Sequence, residues 1–311
     1  MRYLITGCYG FVGGYLVRHL RETAPDVTIV ALDRVPAPAD FPRVDASYEL
    51  DLLDVTRVAD VLARERPDRI VHLASFSSVG FSWQDPVESF RNNTNIFLTL
   101  LEAVRHHAPG ARILSVGSSE EYGVVETLPL VETSPLRPLS PYAVARVAQE
   151  HLGEVYVRGF GLDIVATRSF NHVGAGQSPT FVISALGKQF AELVRGRRDH
   201  IDVGTTSVVR DFLDVRDVVA AYTGLLDRGV RGEVYNICSG HGTSIAGAIA
   251  MFATIAGVTP RLATDPARVR PVENEQVVGS HAKVTGAIGW RPTIALTDSL
   301  RAIYDYWLAR V

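Results

Sequence analysis

The 311 residues contain only two cysteines, Cys8 and Cys238. They exclude a disulfide framework beyond one bridge and make a reduced, cytoplasmic setting the expectation. Long apolar runs are missing too: no stretch is continuous enough to span a bilayer, so a membrane is not an expected partner. Neither charge sign is in excess. The formal net charge is −3, which leaves no footprint for a nucleic acid. The nine histidines show no metal-ligand spacing, and His106 and His107 are adjacent rather than facing, so no metal is expected. His72, in a strand-like run, could sit under a cofactor, but a packed, hydrogen-bonded histidine is the favoured expectation. There is no internal repeat, and Pro36-Ala37-Pro38 reads as a local loop rather than a linker. The first strand-like run starts at residue 2, so no secretory leader is expected.

What is present begins with glycine. Arg2-Tyr3-Leu4-Ile5 is β-prone, and Gly7, Gly10 and Gly13 follow it directly. Apolar residues then recur at helical spacing: Phe11, Val12, Leu16 and Leu20. A strand, a glycine turn and a helix in that order suit a dinucleotide. Gly7 and Gly10 allow the backbone to turn and approach a pyrophosphate. Gly13 lets the helix lie close to the sheet, and the helix N-terminus faces the phosphates. Asp33 ends the second strand-like run, about twenty residues past the last loop glycine. A carboxylate there can accept both ribose hydroxyls of NAD and would repel a 2′-phosphate. Arg34, next to it, can accommodate that phosphate. NAD(H) is therefore favoured over NADP(H), which stays open, and Asp51-Leu52 is the expected adenine contact.

Further along, strand-like runs (Val27–Leu32, Arg69–Ala74, Arg112–Val116, Asp163–Thr167) alternate with helical ones (Val55–Glu65, Asn92–Arg105, Pro141–Val157). The expected fold class is α/β, a doubly wound parallel sheet. After Phe170 the rhythm changes. Asn171 to Thr180 reads as a loop, Phe181 to Val194 as a helix, and residues 200–212 as a hairpin-like stretch. Val234–Ile237 reads as a return to the sheet, and 243–258 as a helix. The expected organisation is a dinucleotide-binding domain at 1–170, to which 212–240 returns. A smaller substrate-binding cap, 171–211 and 241–311, would sit over the carboxyl edge of the sheet.

Chemistry gathers in two segments. Gly117-Ser118-Ser119-Glu120-Glu121-Tyr122-Gly123 follows a strand, and Ser140-Pro141-Tyr142-Ala143-Val144-Ala145-Arg146 opens a helix. Tyr142 and Arg146 are four apart and share a helical face. A tyrosine beside a fixed cation loses its proton more easily, each pKa unit being worth about 1.4 kcal/mol. With a serine hydroxyl nearby, the set suits proton transfer to an oxygen while hydride moves to or from a nicotinamide.

On these residues the chain resembles the extended short-chain dehydrogenases/reductases of the nucleotide-sugar group over essentially its full length. His72-Leu73-Ala74-Ser75, Asn95 in its helix, and Arg210-Asp211-Phe212-Leu213-Asp214-Val215-Arg216-Asp217-Val218 also carry the likeness. Within the group it is most similar to GDP-4-keto-6-deoxy-D-mannose reductases. That likeness rests on the 117–123 segment, on Phe170-Asn171-His172-Val173-Gly174-Ala175-Gly176-Gln177 and on Tyr235-Asn236-Ile237-Cys238-Ser239-Gly240. The resemblance implies a Rossmann-type sheet and a set of roles. Phe11, Val12, Leu73, Ala74, Phe170, Tyr142 and Arg146 would join the cofactor site, where the arginine could donate to the nicotinamide ribose. Ser118 would orient a keto oxygen and Tyr142 would protonate it. Ser78, Asn171 and Val182 would meet the nucleotide sugar, Arg210 and Arg270 its diphosphate, and Glu273 its ribose. The substrate would be a GDP-linked 4-keto-6-deoxyhexose.

Two residues keep alternatives open. Glu120 matches the place of a glutamate that, in related 4,6-dehydratases, removes a proton beside the keto group, so dehydratase or epimerase chemistry on tightly held NAD remains an alternative. Arg146 stands where the family carries lysine. It keeps the charge, yet it is planar and holds its proton at any working pH, so water would have to reload Tyr142. A non-catalytic nucleotide-binding protein is the third reading. In resembling proteins, helices matching those near 91–106 and 141–158 pair across a two-fold axis, so a homodimer is expected.

Overall fold

The computed structural model describes residues 1–266 and 274–311. The first half runs β1 (Arg2–Thr6), α1 (Phe11–Thr23), β2 (Thr28–Asp33), β3 (Ala46–Glu49), α2 (Val55–Glu65), β4 (Arg69–His72), α3 (Val79–Gln84), α4 (Pro86–His107), β5 (Arg112–Ser118), a 3₁₀ turn (Ser119–Tyr122), α5 (Pro141–Phe160) and β6 (Asp163–Ser169). The second half continues β7 (Asn171–Val173), α6 (Val182–Val194), β8 (Ile201–Val203), β9 (Val209–Asp214), α7 (Val215–Arg228), β10 (Val234–Ile237), β11 (Gly242–Ser244), α8 (Ile245–Ala256), β12 (Leu262–Thr264), β13 (Gln276–Val277), α9 (Ala282–Ile288) and α10 (Leu296–Leu308).

Seven strands form one parallel sheet in the order β10-β6-β5-β4-β1-β2-β3. The period-2 alternation of a strand explains why it is buried on both faces. Tyr3 and Ile5 of β1, with Ile29 and Ala31 of β2, face one apolar layer shared with α1 and α7. Leu4, Val30 and Leu32 face the opposite layer, shared with α2, α4 and α5. Each such leucine, isoleucine or valine side chain stabilises the fold by about 1.5–3 kcal/mol on burial. Helix starts are marked locally. Asp54, Asp85 and Ser140 each accept a backbone N–H as N-caps, and Pro86 and Pro141 stand in the first turns of α4 and α5. Chain order reverses on either side of β1, and the crevice over its carboxyl end is where such sheets bind ligands.

The remaining elements have their own core. Ile183, Leu186 and Phe190 of α6 pack with Phe212, Ile249, Phe252, Leu300 and Ile303. Two expectations are corrected here. Residues 200–212 do not form a hairpin: β8 pairs in parallel with β12, and β9 pairs with β7, β11 and β13. Two apolar runs around a turn look like a hairpin locally, but their partners lie elsewhere in the chain. The 171–180 stretch is not wholly loop, because Asn171–Val173 forms β7 alongside Phe212–Asp214. Its polar composition hid a short strand paired with a distant one.

Candidate active site

The glycine loop crosses the carboxyl end of β1. Gly7 has φ +65°, and a Cβ there would lie 2.8 Å from Ala74 Cα. A Cβ on Gly13 would lie 2.0 Å from the Cys8 carbonyl oxygen, so only glycine lets α1 approach this closely. Gly10 caps α1 with no side-chain hydrogen bond, which leaves the first amides of the helix facing the cleft as an anion site. A loop that excludes side chains and presents bare amides fits a pyrophosphate. Asp33 closes this end: its Oδ2 accepts from the Tyr9 amide at 2.9 Å and its Oδ1 from the Arg34 amide at 2.7 Å. The Arg34 guanidinium lies over the Phe76 ring, 4.9 Å from its centre, and 4.0 Å from the Asp51 carboxylate. Burial pushes the Cys8 thiol up to about 12, so this loop cysteine stays an uncharged packing residue.

From this loop one cleft of about 830 Å³ runs across the sheet edge. Phe11, Val12, Asp51, Leu52, Leu73, Ala74 and Phe170 line it together with the glycine loop. Ser118, Glu120, Tyr142 and Arg146 line its middle. Tyr142 and Arg146 rise from α5, which Ser140 starts by accepting the Ala143 amide, and both are buried. Arg146 Nε donates to the Tyr142 hydroxyl at 3.1 Å. Ser118 ends β5. Its amide donates to Glu121 Oε1 at 2.6 Å and its Oγ accepts from the Glu120 amide at 3.2 Å, a capping box that fixes the serine at the head of the 3₁₀ turn. Glu121 points away from the cleft and is fully buried; burial, then the nearby Glu150 charge, raises its pKa.

His72 lies behind the cleft. Its Nδ1 meets Thr6 Oγ1 at 2.9 Å and its ring packs on Phe97. Burial, then the Arg146 charge, holds its pKa down to about 3, so it stays neutral. Its Nε2 has no hydrogen-bond partner among the described residues.

On the far side the cleft is lined by Ser78, Asn171, Val182 and Arg210. Ser78 also caps α3 by accepting the Phe81 amide, and Arg210 Nη1 donates to the carbonyl oxygens of Val209 and Asn274. Glu120, Asn171 and Arg210 continue into a smaller pocket beside Trp83. Arg270 and Glu273 lie outside the described residues. Asn95 lies in its expected helix, α4, on the exposed face. Asn92, nearly a turn earlier, lines the cleft instead, and the buried Asn93 holds both backbone groups of Phe76. Sequence reasoning missed Asn92, Gln149 and Trp83, and named Ser75 only within the His72–Ser75 segment. Of the three missed, only Asn92 had a signal, its place one helical step from apolar Ile96. Among the described residues no cluster of three His, Cys, Asp or Glu side chains is arranged to hold a metal, and no helix is long and apolar enough to cross a membrane.

A glycine loop, an acid at the end of β2, a tyrosine beside a basic residue one turn on, and a seven-stranded parallel sheet together define an extended short-chain dehydrogenase/reductase, an NAD(P)-dependent oxidoreductase class. Residues 4–303 match the family model described as GDP-mannose 4,6 dehydratase, and the chain belongs to that family. It is 37% identical to the GDP-6-deoxy-D-mannose reductase of Pseudomonas aeruginosa, across 100% of this chain and 98% of that one. Among solved structures it is similar to RMD from Pseudomonas aeruginosa complexed with NADPH, at a TM-score of 0.89 and 35% identity over 100% and 99% of the two chains. It is also similar to UDP-glucose 4-epimerase from Thermotoga maritima with UDP-glucose, at 0.91 and 25% over 100% and 99%.

Proposed function

We propose that this protein reduces the 4-keto group of a GDP-linked 4-keto-6-deoxyhexose, GDP-4-keto-6-deoxymannose, to the alcohol of a GDP-6-deoxyhexose. The observation that carries the reading is the single cleft in which Ser118 and Tyr142 stand between the glycine loop and Asn171, Val182 and Arg210. Its full-length likeness to the Pseudomonas aeruginosa reductase supports the choice of substrate. A reduced nicotinamide, when bound, supplies the hydride to the keto carbon. The Ser118 hydroxyl orients the keto oxygen, and the Tyr142 hydroxyl donates the proton that completes the alcohol. Arg146 Nε donates to the Tyr142 hydroxyl oxygen, which holds that hydroxyl in place at the middle of the cleft. Because Arg146 cannot release a proton, water reloads Tyr142. Arg210 offers its charge to the diphosphate, with Ser78, Asn171 and Val182 around the nucleotide sugar. Arg270 and Glu273 are assigned to the diphosphate and ribose on resemblance alone.

Asp33 favours NAD(H). NADP(H) is the alternative that Arg34 and the NADPH-bound neighbour support. Two buried free thiols support a reducing, cytoplasmic setting. A homodimer through α4 and α5 is part of the same reading. The two helices pack together, and each leaves apolar side chains exposed at helical spacing: Val87, Phe90 and Leu98, and Val144 and Val155.

One observation favours a second reading: Glu120 reaches the cleft beside Ser118, as a base for dehydratase or epimerase chemistry would. A non-catalytic binding protein would have no use for a tyrosine hydroxyl held on a buried cation. The experiment mixes purified protein with GDP-4-keto-6-deoxymannose and NADH or NADPH and follows the nicotinamide absorbance. Stoichiometric oxidation with a 6-deoxyhexose product supports the reductase. Product formation without net oxidation, or no reaction, overturns it.

A further inference from the structure

An arginine at position 146 means little by itself in a chain whose only lysines are Lys188 and Lys283 among 31 basic residues. What composition does not supply is the set of acceptors around it. Arg146 Nη1 donates to the Val116 carbonyl oxygen at 3.0 Å and to Gln149 Oε1 at 2.6 Å, and its Nη2 donates to Ser75 Oγ. Gln149 is itself 1% exposed, and its Nε2 donates to Ser115 Oγ at 2.9 Å and to the Val116 carbonyl oxygen at 3.2 Å. The guanidinium is therefore held from α5, from β5 and from the loop after β4.

The geometry has a chemical consequence. A guanidinium carries five N–H donors in one rigid plane. Its Nε can face the Tyr142 hydroxyl only when both terminal nitrogens find acceptors on the other side. A lysine needs no such frame, because its ammonium rotates freely on a flexible stem. The bonds above, with the one to Tyr142, use four of the five N–H groups. The fifth, on Nη2, stays at the Ser75 wall of the cleft.

We infer that Gln149, clamped by Ser115, and Ser75 are positioning residues that orient Arg146 and make an arginine serviceable at this place. The catalytic consequence rests on the reductase reading; the orientation itself does not. A double-mutant cycle tests it. Gln149→Met in the Arg146 protein lowers kcat about tenfold with KM within about twofold. In the Arg146→Lys protein the same change costs less than about twofold, because lysine does not use the frame. Equal losses in both backgrounds, or none in either, overturn the inference. Should Gln149→Met not fold, Ser75→Ala takes its place in the cycle, since that side chain lies on the cleft wall. A crystal structure of the variant provides a readout independent of activity. The expected result is Arg146 Nε turned away from the Tyr142 hydroxyl; an unchanged bond overturns the inference. Absence of keto reduction by the wild-type protein would sink the reductase reading and leave this geometric test to decide.

Discussion

At the scale of single residues, Tyr142 carries the steepest expectation. Removing its hydroxyl in Tyr142→Phe deletes the proposed proton donor and leaves the ring packed, so kcat falls about 10²–10⁴-fold while cofactor binding, read by nicotinamide fluorescence, hardly changes. A loss confined to KM would move the tyrosine from chemistry to binding. Arg146→Lys reads the neighbouring position. Because the frame around the guanidinium is specific to arginine, the change lowers kcat; a large gain would show that the arginine is a handicap. His72 sets a pH dependence. Its pKa falls from 6.5 to about 3 on folding, so the unfolded chain binds the proton more tightly. The stabilisation is complete above pH 6.5 and is lost as pH falls toward 3, by about 1.4 kcal/mol per pH unit within that window. Urea unfolding between pH 4.5 and 7 checks this, with His72→Gln expected to flatten the slope. Residues tied to a local pattern are legible in the sequence: Asp33 at a strand end, Ser118 after a strand, Tyr142 in the first turn of a helix. Ser75 is not, because it meets Arg146 across 71 positions of chain, and Gln149 reads as an ordinary helix residue until the guanidinium is placed.

Among the elements, the β1–α1 turn shows why the pattern of glycines is so readable: each glycine answers to a steric limit inside one contiguous stretch. Gly13→Ala would drive a methyl into the Cys8 carbonyl, forcing α1 off the sheet. A stability loss of about 1–3 kcal/mol or more and loss of cofactor binding are expected; calorimetry and a nicotinamide titration check both. The 3₁₀ turn after β5 makes a subtler demand. Glu121 holds the Ser118 amide while buried, and its pKa is raised above the ordinary 4.5. The unfolded chain therefore ionises first, and stability drains as pH rises from 4.5 through the folded-state value. Glu121→Gln keeps an acceptor for the Ser118 amide without the charge. It should be at least as stable as wild type, with a margin that widens between pH 5 and pH 9 in urea titrations; a constant or narrowing margin would show the carboxylate is ionised throughout. Elements formed by distant pairing were the illegible ones. The partners of β8 and β9 include β12 and β13, and no local period announces a parallel partner tens of residues away.

For the molecule as a whole, alternating strands and helices were enough to imply a parallel doubly wound sheet, because a parallel neighbour can be reached only through a crossover. How copies of that sheet associate is a different question, and the surface of α4 and α5 bears on it. Val87, Phe90 and Leu98 recur at steps of three and eight along α4, and Val144 and Val155 lie eleven apart on α5, so each helix keeps an apolar stripe in solvent. Two copies joined about a two-fold axis would cover both stripes at once, giving a four-helix interface without disturbing the cleft. Sedimentation should then report a species of twice 33.9 kDa at micromolar concentration. Leu98→Glu combined with Val144→Glu puts like charges into the interface and should yield a monomer that still binds the cofactor, since neither residue lines the cleft. A wild-type protein that sediments as a monomer, or a double variant that remains dimeric, would show that some other surface, or none, joins the copies.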